Sequence, residues 1–236
     1  MKNAILGYGS VRGSSHKQKG IKNQDYCIVK EFKFGTVLAV ADGHGSHKNA
    51  HIGSRAACRA VIKAVKLWNS YKEKDFRLLI PLIHSIWNIE IYPFRRNECG
   101  TTCLFAFHSN TGRLWAGQLG DGNIFIRIDD KTELIAGKEE EFSNITVGMS
   151  SVSSFSDWKL KEYITGEKSV AVCLMTDGVS ETLIDETKED FVKYIWEELR
   201  SKADLSETKR FLRNILSSWN TVNAGDDRTL ASYERI

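Results

Sequence analysis

Short apolar runs separated by polar, glycine-containing loops recur along most of the chain. Residues 26–29 and 36–40 are the first two of these runs; both are rich in β-branched side chains, and Gly35 separates them. Runs of this length, bounded by turn residues, predict β-strands. The same character predicts strands at residues 102–107, 114–119, 124–128, 170–175 and 229–233.

Two blocks of helical periodicity interrupt these strands. From Ala56 to Trp68, small and apolar residues recur at three- and four-residue steps, which predicts an amphipathic helix. The stretch 75–90 has a similar apolar face, and Pro81 within it predicts a kink or a later start. Helices are also predicted at 188–200 and 206–219. This order of strands, paired helices, strands, paired helices and a final strand predicts an α+β fold.

Composition narrows the class of protein. The 236 residues are 42% hydrophobic and 27% charged, which excludes a disordered chain and allows one large domain with a substantial core. The net charge of +3 and the dispersed lysines do not match the basic surface of a nucleic-acid binder. The longest apolar run, residues 36–41, is too short to span a bilayer, and the N-terminus lacks the apolar region of a secretory signal. We therefore expect a single domain, spanning 1–236, that binds neither nucleic acid nor membrane.

The cysteines point to a reducing compartment. Five cysteines are an odd number in a chain too large to depend on disulfides, and most of them lie in apolar stretches. Cys99 and Cys103 have no second cysteine pair to complete a zinc site. We expect reduced thiols in a cytoplasmic protein.

Aspartates recur at the ends of the predicted strands. An Asp-Gly pair follows three apolar runs, and further aspartates stand just before two others: Asp25, Asp42, Asp121, Asp177 and Asp226. Carboxylates brought together repel one another and require a cation, and all-oxygen sites suit Mg²⁺ or Mn²⁺. Two such ions would suit the hydrolysis of a phosphate ester. The alternative is that each Asp-Gly pair is an isolated turn.

The ordered set of these motifs resembles the metal-dependent protein phosphatase family of type 2C. The motifs are NQD at residues 23–25, VADGHG at 40–45, GTT at 100–102, LGDG at 119–122, MTDG at 175–178 and DDRT at 226–229. Residues 13–25 and 141–146 are most similar to a compact bacterial branch of this family. The resemblance extends from about residue 7 to residue 233.

The resemblance implies a fold and a reaction. The fold is a four-layer α-β-β-α sandwich, with two antiparallel β-sheets flanked by pairs of helices. The reaction is hydrolysis of phosphoserine or phosphothreonine by a water that bridges two Mn²⁺ or Mg²⁺ ions, without a covalent intermediate. The implied partners are a phosphorylated protein and a cognate serine/threonine kinase, and the implied state is a monomer.

The resemblance also assigns roles to residues of this chain. Asp42 would bridge the two ions, the Gly43 carbonyl would bind the second, Asp177 and Asp226 would bind the first, and Asp25 would hold metal-bound waters. Asp121, Asp177 and Glu181 match the positions of a third, weaker ion in some relatives. His44 matches the proton donor to the leaving oxygen; the alternative is a loop histidine bonded to nearby backbone.

The sequence departs from the family pattern at two places. Gln24 stands where many members have glutamate, and no arginine occupies the usual position for gripping the phosphate. Arg12, His16 or Lys17 could take that role, or could be a solvated face.

Residues 143–165 fall where the family has a variable flap. Phe155 and Trp158 could contact substrate there or simply pack the flap down.

The two departures leave other functions open. The first alternative is a pseudophosphatase that binds phosphoproteins without turnover. The second is a small-molecule phosphohydrolase that uses the same metals.

Overall fold

Two antiparallel β-sheets form the centre of the molecule. The computed structural model describes residues 4–71, 75–136, 147–151, 155–218 and 225–236. Sheet I has the spatial order β2 (Tyr26–Phe32), β3 (Gly35–Ala41), β4 (Cys103–Ser109), β5 (Arg113–Leu119) and β8 (Lys159–Ile164). Sheet II has the order β1 (Ala4–Val11), β10 (Arg228–Arg235), β9 (Val170–Met175), β6 (Asn123–Ile128) and β7 (Lys131–Ala136).

Helices cover the outer face of each sheet. Helices α2 (Ala50–Trp68) and α3 (Leu79–Glu90) pack together against sheet I, and α5 (Lys188–Arg200) and α6 (Leu205–Ser218) pack against sheet II. Two short helices, α1 (Ser14–Gln18) and α4 (Asp177–Ser180), lie in loops at the strand ends. The four-layer α-β-β-α sandwich implied by the resemblance is confirmed.

Strand β3 shows why both faces of the central strands are apolar. Val37 and Ala39 pack against the α2–α3 layer, whereas Leu38 and Val40 pack between the two sheets. Successive side chains of a strand point to opposite faces, so a strand covered on both sides reads as one continuous apolar run. This alternation explains the uninterrupted hydrophobic sequence of β3.

Most predicted elements are present, with shifted limits. The helix predicted from Ala56 begins at Ala50, and the helix predicted over 75–90 starts later, at Leu79, after a 3-10 turn. Pro81 stands in the first turn of α3, where its missing N–H costs no intrahelical hydrogen bond. The last part of the predicted flap is β8, whereas residues 143–146 and 152–154 lie outside the described residues.

No helix among the described residues is long and apolar enough to cross a membrane. All five cysteines are free thiols, and four of them are buried.

Candidate metal centre

The antiparallel pairing brings the aspartate loops to one end of the sandwich. At that end Tyr26 pairs with Ala41 in sheet I, so that Asp25 and Asp42 extend from neighbouring strands. In sheet II Met175 pairs with both Asn123 and Leu230, which places the loops before β6, after β9 and before β10 side by side. The loops that carry all five predicted aspartates therefore share one edge.

Three of the aspartates meet directly. Carboxylate oxygens of Asp42, Asp121 and Asp177 all lie within 4.8 Å of one another. Asp226 is close enough that its charge raises the pKa of both Asp42 and Asp177. The structure thus gathers in space carboxylates that lie between residues 42 and 226 of the sequence.

Asp25 lies behind this group, against Asp42. Burial raises the pKa of Asp25 to about 7, although a side-chain contact with Asp42 opposes the increase. The pKa of Asp42 is also raised, first by burial and then by the charge of Asp25. Asp25 accepts a hydrogen bond from the Thr176 hydroxyl at 2.9 Å on Oδ2, whereas its buried Oδ1 has no hydrogen-bond donor among the described residues.

Asp177 also has a strongly raised pKa. Burial, followed by the charges of Asp42, Asp121 and Asp226, raises its pKa to about 9. One oxygen accepts the Gly178 N–H at 2.8 Å, which opposes the increase. Buried carboxylates under mutual repulsion are the surroundings in which a hard divalent cation is strongly favoured, so the donor set fits Mg²⁺ or Mn²⁺.

Thr101 and Thr102 fix the loop that carries Asp42. The Thr102 N–H donates to the Asp42 carbonyl at 2.8 Å, and the Asp42 N–H donates to the Thr102 hydroxyl at 2.9 Å. The Thr101 hydroxyl donates to the same Asp42 carbonyl at 2.7 Å, and Thr101 forms an isolated β-bridge with Gly43. These bonds give the GTT motif at residues 100–102 a structural role.

Gly43 stands where no side chain fits. A Cβ at this position would lie 2.7 Å from the Ala50 carbonyl oxygen and 2.8 Å from that of Gln24. The backbone of the loop is therefore packed tightly between α2 and the segment before β2. Gln24 itself is buried, and its carbonyl accepts hydrogen bonds from Gly43 N and the Ser54 hydroxyl.

Asp227, which the sequence prediction left without a role, is a buried hub. Its carboxylate accepts the N–H groups of Gly13 at 2.7 Å and Gln24 at 2.6 Å. His16 Nδ1 lies 2.9 Å from the same carboxylate, without the alignment of a hydrogen bond. This hub joins α1 and the residues before β2 to the loop of Asp226.

The three cations predicted to grip a phosphate occupy different positions. His16 faces the Asp226–Asp227 loop, and one atom from each of these three residues lies within 4.8 Å of the others. Arg12 donates to the Ile21 carbonyl at 3.3 Å, and Lys17 is exposed on α1. The structure therefore places His16 and Arg12 in contacts that hold the loop around α1.

Glu181, a predicted ligand of a third ion, is exposed after the end of α4. Its N–H donates to the Asp177 carbonyl at 2.8 Å. Among the described residues, the group of carboxylates that meet contains Asp121 but not Glu181.

His44 lies beside the carboxylates. Burial lowers its pKa, while the charge of Asp121 opposes the decrease. Its backbone N–H donates to the Gly100 carbonyl at 3.0 Å, and its ring centroid lies 5.7 Å from that of His47. His44 Nε2 is buried and makes no hydrogen bond within the part of the chain that the structure describes.

Trp158 packs the segment before β8 onto the molecule. Its side chain is buried against Phe105, and its Nε1 donates to His84 Nε2 at 3.1 Å. Phe155 lies in a 3-10 turn just before it. Of the two alternatives for Trp158, the structure supports packing rather than substrate contact.

The comparisons identify a family by sequence. Residues 12–217 match the sequence profile of the family described as protein phosphatase 2C. The comparison with curated protein sequences finds no match.

Solved structures share the fold. A bacterial serine phosphatase superposes with a TM-score of 0.68 at 17% identity, covering 100% of this chain and 98% of that chain. The catalytic domain of the serine threonine protein phosphatase PstP, solved with two manganese ions, gives a TM-score of 0.60 at 19% identity, covering 99% and 100%. RsbX, solved with magnesium, gives 0.64 at 15% identity, covering 100% and 98%.

The profile match covers most of the chain, the similar structures share its fold over nearly their whole length, and the acidic loops of the matched motifs meet at one edge. This chain belongs to the protein phosphatase 2C family of metal-dependent serine/threonine phosphatases.

Proposed function

We propose that the chain hydrolyses phosphoserine and phosphothreonine in proteins at the carboxylate cluster, by a two-metal mechanism. The observation that carries the proposal is the approach of the Asp42, Asp121 and Asp177 carboxylates to within 4.8 Å of one another. The raised pKa values of Asp42 and Asp177 mean that the charged forms of these two carboxylates need a neutralising partner. Divalent cations with oxygen ligands are the partners that best meet this need.

The proposed ligand set uses residues from four loops. Asp42 would bridge two Mn²⁺ or Mg²⁺ ions, Asp177 and Asp226 would hold the first, and the Gly43 carbonyl would face the second. Asp25 would order waters beside them. When bound, such ions supply a water of lowered pKa that attacks phosphorus directly, and positive charge that stabilises the phosphate oxygens.

A third ion would depend on Asp121. Asp121 lies in the cluster with Asp177, whereas Glu181 is exposed after α4. We therefore propose that Asp121 and Asp177 would carry the main share of a third site and that Glu181 would contribute through water.

In this proposal His44 donates a proton to the leaving group. A serine or threonine leaves as an alkoxide, which is strongly basic, so the reaction gains from a proton donor close to the leaving oxygen. His44 lies close enough to Asp121 for its pKa to be affected by that charge, and we assign the proton donation to this residue.

The test is hydrolysis of a phosphothreonine peptide. Wild-type protein should show turnover with Mn²⁺ and none in excess EDTA. Asp42→Asn should reduce turnover by more than about a hundredfold, since loss of an outer-shell partner alone costs about 10–100-fold. Asp130→Asn, a change at an exposed turn, serves as the matched control and should leave turnover unchanged.

Turnover that persists in EDTA, or an Asp42→Asn variant as active as wild type, would contradict the proposal. Calorimetry with Mn²⁺ tests the pseudophosphatase alternative, because a pseudophosphatase would bind the ions but show no turnover. The carboxylates that meet in the structure do not favour that alternative. A panel of phosphopeptides and nucleotides separates a protein phosphatase from a small-molecule phosphohydrolase.

The proposal extends to the domain organisation, substrate, oligomeric state and location of the protein. We propose that residues 1–236 form one catalytic domain, that the substrate is a phosphoprotein made by a serine/threonine kinase, and that the protein acts as a monomer in the cytoplasm. The free cysteines support a reducing environment.

A further inference from the structure

A short segment lies against the Cε1 and Nε2 atoms of the His44 ring. We call residues 147–151 the strap. A Cβ added to Gly148 would lie 2.4 Å from His44 Cε1 and 2.9 Å from Nε2, so the strap backbone is in van der Waals contact with the imidazole. The same Cβ would lie 2.6 Å from the Thr101 carbonyl oxygen. Only glycine allows the strap to approach this closely.

The strap is fastened to the loop that holds Asp42. The Met149 N–H donates to the Thr101 carbonyl at 2.8 Å, and the Met149 side chain is fully buried. Within the strap, the Gly148 N–H donates to the Ser151 hydroxyl at 3.1 Å. The contact with His44 is therefore part of an ordered, hydrogen-bonded arrangement.

Arg96 holds the strap from the outer side. Its guanidinium donates to the Met149 carbonyl at 3.0 Å and lies 5.9 Å from the centre of the Trp87 ring on α3. Arg96 belongs to the 3-10 turn Arg96–Glu98, in which the Asn97 carbonyl accepts a hydrogen bond from His47 Nδ1 at 2.7 Å. Two neighbours of the His44 ring, Gly148 and His47, are thus tied to one turn.

We propose that Arg96 is a positioning residue for this reaction. Acting through Met149 and Gly148, it holds the His44 ring in one fixed orientation for proton donation to the leaving oxygen. The inference rests on the proposed role of His44 as proton donor. It assigns a function in substrate turnover to an exposed arginine that touches neither a carboxylate of the cluster nor His44 itself in the described contacts.

The experiment compares two substrates that differ in their need for a proton. The leaving group of a phosphothreonine peptide is an alkoxide, which needs the proton donor. The leaving group of p-nitrophenyl phosphate is a stable phenolate, which does not need it. Both use the same carboxylate cluster. A change that acts only on proton donation therefore lowers kcat for the peptide and leaves kcat for the aryl phosphate nearly unchanged.

Wild-type protein with Mn²⁺ should hydrolyse both substrates. His44→Gln should lower kcat for the peptide by about a hundredfold, the lower range of a general-acid effect. Arg96→Met, which keeps packing against Trp87, should lower it by about fivefold, the effect of losing one hydrogen bond. Arg96→Lys, which retains a cationic donor, should restore part of the loss.

Two controls test whether Arg96 acts through His44. Arg95→Met alters the neighbouring exposed arginine, whose backbone N–H donates to Glu98 at 2.9 Å, and should leave both substrates unaffected. The double change His44→Gln with Arg96→Met should be no slower on the peptide than His44→Gln alone, because the two residues act as a unit.

Each contrary result has its own meaning. If His44→Gln is selective for the peptide but Arg96→Met affects both substrates equally or neither, the positioning proposal is wrong and the proposed function stands. If His44→Gln is not selective, the donor role and the positioning role both fail. If the wild-type protein hydrolyses neither substrate with Mn²⁺, the proposed function itself is wrong.

Discussion

Thr176 supports the metal centre from behind Asp25. Its hydroxyl donates to Asp25 Oδ2 at 2.9 Å and accepts the Thr229 N–H at 3.1 Å. This one hydroxyl therefore links a carboxylate before β2 to the strands β9 and β10 of the other sheet. Partners of this kind orient a carboxylate before any ion binds.

Replacing Thr176 by valine should weaken Mn²⁺ binding by about 10–100-fold, the usual cost of an outer-shell partner. Valine keeps the shape but leaves the Thr229 N–H and Asp25 Oδ2 without this bond. The measurement is the Mn²⁺ concentration that gives half-maximal turnover. Thr187→Val, at an exposed hydroxyl that bonds the Ile184 carbonyl, is the control, and equal Mn²⁺ affinities in the two variants would contradict the prediction.

Single residues also explain which parts of the site could be predicted from sequence. Asp42 and Asp177 were identifiable because each forms an Asp-Gly pair directly after an apolar strand. Asp227 has no such signal of its own, since its role depends on N–H groups more than two hundred positions away. Gly148 is likewise one glycine in a polar stretch, and only the tertiary structure brings it to His44.

At the scale of elements, strand β1 was not predicted from the sequence, and the reason is physical. Its sequence, AILGYGSV, contains Gly7 and Gly9, which lower strand propensity. The structure shows what the glycines accomplish: a Cβ on Gly7 would lie 3.0 Å from both Leu199 and Leu212, on α5 and α6. The absent side chains let two helices approach the strand closely, and this advantage is invisible in local sequence.

Helix α2 contains a similar close approach. A Cβ on Gly53 would lie 2.0 Å from the Cys99 carbonyl oxygen. Glycine-to-alanine changes inside a helix normally stabilise by about 1 kcal/mol, but here the clash with backbone should dominate. Gly53→Ala should therefore lower the free energy of unfolding, by about 2 kcal/mol or more.

Urea denaturation followed by circular dichroism measures that change. Lys66→Ala, at an exposed position of the same helix, should differ from wild type by less than about 0.5 kcal/mol. A Gly53→Ala variant as stable as Lys66→Ala would show that α2 can move away from Cys99 at little cost.

The layer between the two sheets contains a buried histidine. His108 on β4 lies 2.8 Å from the Tyr233 hydroxyl on β10 and 3.0 Å from the Thr165 hydroxyl. Burial, with a smaller contribution from the charge of Arg235, lowers the pKa of His108 to about 4. Because the folded pKa lies below the unfolded value of about 6.5, this contribution to stability is complete above pH 6.5 and is lost as the pH falls towards 4.

His108→Gln should therefore lose less stability than wild type between pH 6.5 and 4. The difference should not exceed about 3 kcal/mol, the limit set by the size of the pKa shift. Urea midpoints at several pH values give the comparison. Parallel pH profiles for the two proteins would mean that His108 does not titrate in this range.

At the scale of the whole molecule, the carboxylate cluster opposes folding when no cation is bound. Burial raises the pKa of Asp25 to about 7 and that of Asp177 to about 9, above the ordinary value near 4. A raised folded pKa means that the folded state binds more protons than the unfolded state. Its stability then decreases as the pH rises from about 4 to about 9.

Manganese should reverse this trend, because its ligands must be deprotonated. In EDTA the melting temperature should fall between pH 7 and 9, and the increase caused by Mn²⁺ should be larger at pH 8.5 than at pH 7. Differential scanning fluorimetry in the two buffers measures both. Asp42→Asn should show a smaller difference between the buffers, whereas Asp130→Asn should match wild type; an Mn²⁺ effect independent of pH would contradict the prediction.

The pairing of β1 with β10 has a consequence for synthesis on the ribosome. Strand β10 runs between β1 and β9, and Asp226 and Asp227 come immediately before it. A nascent polypeptide that has emerged only as far as β9 thus has the earlier aspartates but a gap in the middle of sheet II and no hub to fasten α1. In the proposed ligand set Asp226 comes with β10, so a polypeptide that stops before β10 lacks both a strand of sheet II and a proposed ligand of the first ion.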